Sequence, residues 1–197
     1  MTLRWGERRP WLAGAWSWLR SRFAAREHER IPALPVLPAR LRRGELAASY
    51  LAAASDGAHR RAGAAAVTAA ERAIEERSWW AADAWAHRAL WHFERAEMDL
   101  HAIRAARRIG DLRTMAGDPA SARRYYAETI SEARDIGAER EEGLAAFGLG
   151  RAELEMGNVT TARRLAGIAV DLLERCGAPS GEVEAARALR GEEKEVG

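Results

Sequence analysis

The sequence predicts an all-α fold, and three observations carry that reading. No proline occurs between Ala39 and Thr114. Alanine, leucine, arginine and glutamate, all good helix formers, dominate the chain. No stretch shows the period-two alternation of apolar and polar residues that marks a half-buried strand. The 197 residues are 48% hydrophobic and 30% charged, which is enough apolar material for a buried core and argues against wholesale disorder.

The first element is a helix expected from Pro10 to Arg30. Trp11, Leu12, Ala15, Trp16, Trp18, Leu19 and Phe23 give it an apolar face, and Arg20, Arg22 and Arg26 lie toward its end. Ten arginines against Glu7, Glu27 and Glu29 give residues 1–43 a net charge of +7, while the whole chain carries only +2. The remainder is therefore acidic, at −5. A Trp- and Arg-rich amphipathic helix of this kind suits several surfaces. It can cap an exposed end of the rest of the chain, or contact a partner or a second copy. It can also lie on an anionic membrane or meet nucleic-acid phosphates, and of these four the cap and the partner contact fit best. Trp11, Trp16, Trp18, Arg20 and Arg22 are the candidate docking residues. Pro32, Pro35 and Pro38 follow in a short, semi-rigid spacer.

From there a repeat organises the chain. Displaced by 40 residues, 105–138 falls onto 145–178: Ala105-Ala106 on Ala145-Ala146, Gly110 on Gly150, Gly117-Asp118 on Gly157-Asn158, Ala122-Arg123-Arg124 on Ala162-Arg163-Arg164, and Gly137-Ala138 on Gly177-Ala178. Gly117 and Gly157 suit the left-handed end of a helix, and Asp118 and Asn158 suit the cap of the next. Pro119 fits a first helical turn. Small residues at Gly110/Gly150 and Ala122/Ala162 let two successive helices cross closely. The unit is thus a helical hairpin. Units are expected near 58–98, 99–138 and 139–178, the first more weakly, with Arg77-Ser78 in place of Gly-Asp and Ser78 as a cap. Between Trp79 and Arg108 there is neither Gly nor Pro, so residues 79–116 read equally as one helix or two. A capping helix is expected over 180–195.

These units resemble the tetratricopeptide repeat. Leu149-Gly150, Gly157-Asn158, Ala162 and Ala169 in one unit, and Ile109-Gly110, Gly117-Asp118, Ala122 and Tyr126 in the one before, have that family's spacing. The 40-residue period is similar to longer variants found in bacterial regulators. Ala106, Ala146, Arg113 and Glu153 stand where the family has first-helix aromatics, and Thr129 where it has a small Ala. The resemblance implies a right-handed α-solenoid of antiparallel hairpins, flanked by the N-terminal amphipathic helix and the C-terminal cap. It also implies a concave groove lined by the first helix of each hairpin. Matching positions place Val67, Glu71 and Ile74 there from the first unit, Arg104, Arg107, Asp111 and Met115 from the second, and Leu144, Phe147, Arg151 and Leu154 from the third.

Other residue clusters carry less chemistry. On the expected helix 79–97, Trp80, Trp91 and Met98 form one stripe and Trp79, Leu90 and Phe93 another, a wide apolar surface for core packing; Trp85 and His92 project elsewhere. Asp83/His87 and Glu97/His101 are each four apart, as metal ligands on one helix face would be, but no second matching helix completes a site and ion pairing is the plainer reading. Gly148 and Gly150 lack the strand that a dinucleotide-binding loop requires. No nucleophile motif is present. Tyr125-Tyr126 reads as one surface and one core aromatic. Cys176, the single cysteine, excludes an intrachain disulfide, reads as a small buried residue and fits a reducing, cytoplasmic setting. The start of the chain lacks a secretory cleavage pattern.

The expected function is a non-enzymatic, cofactor-free interaction module that binds a partner peptide or helix in the groove, with Arg104, Arg107 and Arg151 meeting acidic groups. The alternative is a peripheral adaptor docking on an anionic membrane or nucleic acid through residues 1–30.

Overall fold

The computed structural model describes residue 41 and residues 44–191. The chain divides into two units, Met1–Leu37 and Pro38–Gly197. The N-terminal helix, its spacer and the docking residues Trp11, Trp16, Trp18, Arg20 and Arg22 lie outside the described residues. Among those described there are eight helices and no strand: α1 (Glu45–Ser55), α2 (His59–Glu75), α3 (Trp79–Arg95), α4 (Asp99–Met115), α5 (Pro119–Asp135), α6 (Glu139–Glu155), α7 (Val159–Arg175) and α8 (Ser180–Arg190).

Helices α2 to α7 are each 17 residues long, and three residues separate each of them from the next within this set. The geometric period is therefore 20, half of the 40 seen in the sequence. The turns explain it. Every end from α1 to α7 places one residue in the left-handed region: Gly57, Arg77, Glu97, Gly117, Gly137, Gly157 and Gly177. At each, two backbone bonds close the helix. After α2, for example, the Ser78 amide donates to Ala73 O at 2.8 Å and the Arg77 amide to Ile74 O at 2.9 Å. This pairing satisfies carbonyls that the helix end leaves open. Residues 79–116 are consequently two helices, with Glu97 at φ 55° making the break without glycine.

Three expectations about helix ends change. Asp118 does cap α5, accepting from the Ser121 amide at 3.1 Å. Hydrogen bonding from Ser121, first from its side chain and then from this amide, holds the Asp118 carboxyl below the ordinary range. Asn158 makes no cap bond; its amide donates to Glu153 Oε2 at 2.7 Å, and Ser78 makes no cap bond either. The last helix stops at Arg190 rather than 195, because Gly191 turns left-handed at φ 92°. Helix α1 precedes the first expected hairpin and is only 11 residues long.

Each helix packs on its neighbours in sequence, and α4 also touches α6, and α6 touches α8. The core is a string of small clusters. Ala73, Ala81, Ala82, Ala86, Ile109 and Leu112 join α2, α3 and α4; Ala122, Tyr126, Ala145 and Ala152 join α5 and α6; Ala146, Ala169, Val170, Leu173, Val183 and Ala186 join α6, α7 and α8. Large and small residues are traded across these contacts. Gly63 faces Phe93 and Gly143 faces Leu173, while the equivalent pair between them is Ile103 and Ala133. The summed volume is held roughly level, as close packing demands.

The expected stripes hold in part: Phe93 is buried and Trp79 and Leu90 pack on the α2–α3–α4 core, whereas Trp80 is 51% exposed, and Trp85 and His92, expected to project elsewhere, are buried. Helix α1 supplies the reason for Trp85 and His92, since its Tyr50 sits edge-on to both rings at 5.1 and 5.5 Å.

Candidate partner-binding face

The site begins with two glycines. A Cβ at Gly148 would lie 2.4 Å from Tyr126 Cε1, and one at Gly110 would lie 2.8 Å from the same atom. Both distances are shorter than real Cβ contacts, so α4 and α6 close over the Tyr126 ring only because these positions are glycine. Gly148 is therefore a packing residue, although a glycine inside a helix costs about 1 kcal/mol relative to alanine.

The clamped ring carries its hydroxyl between α4 and α6. It donates to Asp111 Oδ1 at 2.9 Å and lies 3.3 Å from Thr114 Oγ1, which bonds back to Gly110 O. Burial first, and Asp111 second, hold this phenol far above its ordinary pKa. It is a fixed donor and not an acid at any ordinary pH.

From Asp111 the network runs along α4. Arg107 Nη1 donates to Asp111 Oδ2 at 2.9 Å. Arg107 Nε and Arg104 Nε donate to the two oxygens of Glu141, at 3.4 and 2.8 Å. Glu141 lies in the first turn of α6, where a carboxylate also meets the positive end of the helix dipole, and its side chain is only 4% exposed. Two arginines around one desolvated carboxylate bind α4 to α6.

The expected groove residues thus divide. Arg104, Arg107 and Asp111 are brought together, joined by Glu141 and Tyr126. Arg151 is exposed beside this network, close enough to act on the Tyr126 phenol, and makes no ion pair among the described residues. Met115 and Leu154 are exposed at 51% and 44%. Leu144 and Phe147 are half-buried against the α6–α7–α8 core. Val67, half-buried, and Glu71, exposed, stand on α2, and none of the bonds linking Arg104, Arg107 and Asp111 reaches them. Glu141 and Tyr126 were not foreseen in the site. The signal for Tyr126 was present in Gly148, a helical glycine with no turn to make.

The Asp83/His87 pair is otherwise engaged. Arg113 donates to Asp83 Oδ2 at 2.9 Å, and His87 bridges Asp83 O at 2.9 Å and the Tyr125 hydroxyl at 3.0 Å. Among the described residues no group of three or more His, Cys, Asp or Glu side chains is placed to hold a metal ion. Cys176 is exposed rather than buried, because it occupies the cap position after α7. It edges an open hollow of about 340 Å³ shared with Leu100, Arg104 and the start of α6.

A scan against protein-family models finds no match for this chain, and a comparison with curated proteins finds none either.

Proposed function

We propose that the helical part of the chain is a tetratricopeptide-like, right-handed α-solenoid that binds a partner peptide or helix and performs no catalysis, in a reducing, cytoplasmic setting. The binding surface is the face formed by α2, α4 and α6. Recurrent left-handed turns, hairpins of equal helices and the α4–α6 and α6–α8 contacts support the solenoid.

One observation carries the binding reading. A fixed polar row, Arg104–Glu141–Arg107–Asp111–Tyr126, lies near Arg151, which has no ion pair among the described residues, and the same two helices expose Met115 and Leu154. Arg104 and Arg107 already hold Glu141, so the direct contact to an acidic partner group falls chiefly to Arg151, with Met115 and Leu154 supplying apolar grip. This narrows the expected three-arginine contact. Among the described residues no helix is long and apolar enough to cross a membrane.

The test is affinity capture from the native cell followed by mass spectrometry. Combined Arg151→Glu, Met115→Asp and Leu154→Asp should abolish recovery of specific partners while leaving the fold intact, since exposed substitutions rarely move stability by more than about 0.5 kcal/mol. Arg123→Glu with Arg163→Glu, on exposed faces of α5 and α7, should leave recovery unchanged. Equal recovery from wild type and the first variant would refute the assignment.

A further inference from the structure

We propose that the His59–His92–Tyr50 chain is an acid-released latch that holds α1 against α2 and α3. It is separate from the binding face above and does not depend on it.

The geometry ties three helices through one ring. His92 Nδ1 on α3 lies 3.0 Å from His59 Nδ1 at the start of α2, and His92 Nε2 lies 3.2 Å from the Tyr50 hydroxyl on α1. An N···N contact at that distance holds one proton and not two. One imidazole donates and the other accepts, so the pair cannot become doubly charged without breaking.

The other groups around His92 also oppose a charge there. On its own helix, Arg88 and Arg95 both act against it, and Arg95 caps the Trp91 face at 4.3 Å. From α1 it meets Tyr50, and from α2 His59; on α4, His101 lies against the neighbouring Phe93. The ring itself is 2% exposed. Burial, then His59, then the two arginines push His92 down to about 4 from 6.5.

Helix α1 is the element that this ring can release. It buries only Ala47, Tyr50 and Ala53, so Tyr50 is its one large anchor, and that anchor rests on Trp85 and His92. Elements with few buried contacts open at low free-energy cost. Once α1 opens, His92 meets water and can protonate normally. The sign follows. Above pH 6.5 the ring is neutral in both states and the latch is at full strength. As pH falls from 6.5 toward 4, only the open state takes up the proton, and each pH unit favours opening by up to about tenfold.

The experiment is amide hydrogen exchange on the full chain from pH 7.5 to 4.5, with rates corrected for intrinsic pH dependence. Between pH 6.5 and 5, protection of the α1 peptide around Tyr50 should fall by about tenfold or more, while that of α7 stays level. His92→Phe should make α1 protection flat across the range. An NMR titration of the unsubstituted chain gives a reading that survives if this variant does not fold: His92 should remain neutral at pH 6 while α1 is protected. Parallel loss of protection in α1 and α7, pH dependence that persists in His92→Phe, or a His92 midpoint near 6.5 with α1 still protected would each overturn the latch.

Discussion

Helices α2–α3 and α6–α7 are the same backbone object 80 residues apart, built from opposite chemistry. Both pairs have 17-residue helices and a glycine, Gly63 or Gly143, under the large residue of the facing helix. Helix α3 buries Trp85, Arg88, His92 and Phe93, whereas α7 buries Leu165, Val170, Leu172 and Leu173. The turns differ as well: Arg77 and Glu97 bend left-handed around α3, where α7 has Gly157 and Gly177. What the repeat preserves is a turn conformation and a summed side-chain volume. Residue identity is free within those two constraints.

The strongest challenge to that view is a volume swap. Phe93→Ala should destabilise by about 3–5 kcal/mol in urea unfolding, since the ring is buried against Gly63. Adding Gly63→Ile recreates the Ile103/Ala133 arrangement of the middle hairpin. The double variant should recover at least about 1 kcal/mol over the sum of the single changes. Strict additivity would show that volume is not what the units share.

Gly148→Ala tests a contact between hairpins, where α6 closes over Tyr126 of α5. Its Cβ would enter the Tyr126 ring, so a loss of about 2–3 kcal/mol is expected. Combining it with Tyr126→Leu should make the two losses subadditive in the same denaturant measurement.

The turn comparison gives effects of opposite sign. Arg77→Gly and Glu97→Gly should each raise stability by up to about 1 kcal/mol, because a residue with a Cβ pays to be left-handed. Gly117→Ala and Gly157→Ala should lower it by a similar amount. Thermal melts of the four variants suffice, and the same sign in both sets would break the argument. The smallest contrast is at the caps. Asp118→Ala should cost about 1 kcal/mol, and Asn158→Ala less, because only Asp118 bonds a free helix amide.

The sequence made the all-helical class and the hairpin boundaries readable through Gly117, Gly137, Gly157 and Gly177, whose preference for the left-handed turn is local. At Arg77 the turn was legible only as the counterpart of Gly117 in the repeat, and at Glu97 only as a unit boundary, because neither residue favours the left-handed turn it adopts. That is why 79–116 read equally as one helix or two. Positions on the candidate face came from the resemblance to the repeat family, carried across by matching positions in each unit. Their state of charge did not. Nothing local in Glu141 says that Arg104 and Arg107 converge on it from 34 to 37 residues away. The burial of Trp85 was likewise decided by a helix outside the expected hairpins, α1.

The equal 20-residue step has a consequence for how this chain can change length. Helices of the same parity meet across the intervening one, as α4 meets α6 and α6 meets α8. Excising 40 residues between two left-handed turns returns every later helix to a position of its own parity. Excising 20 moves each later helix into the opposite one and presents its polar side where an apolar side belongs. Insertions and deletions in such a chain should therefore be tolerated in pairs of helices and rejected singly, however well the cut ends match.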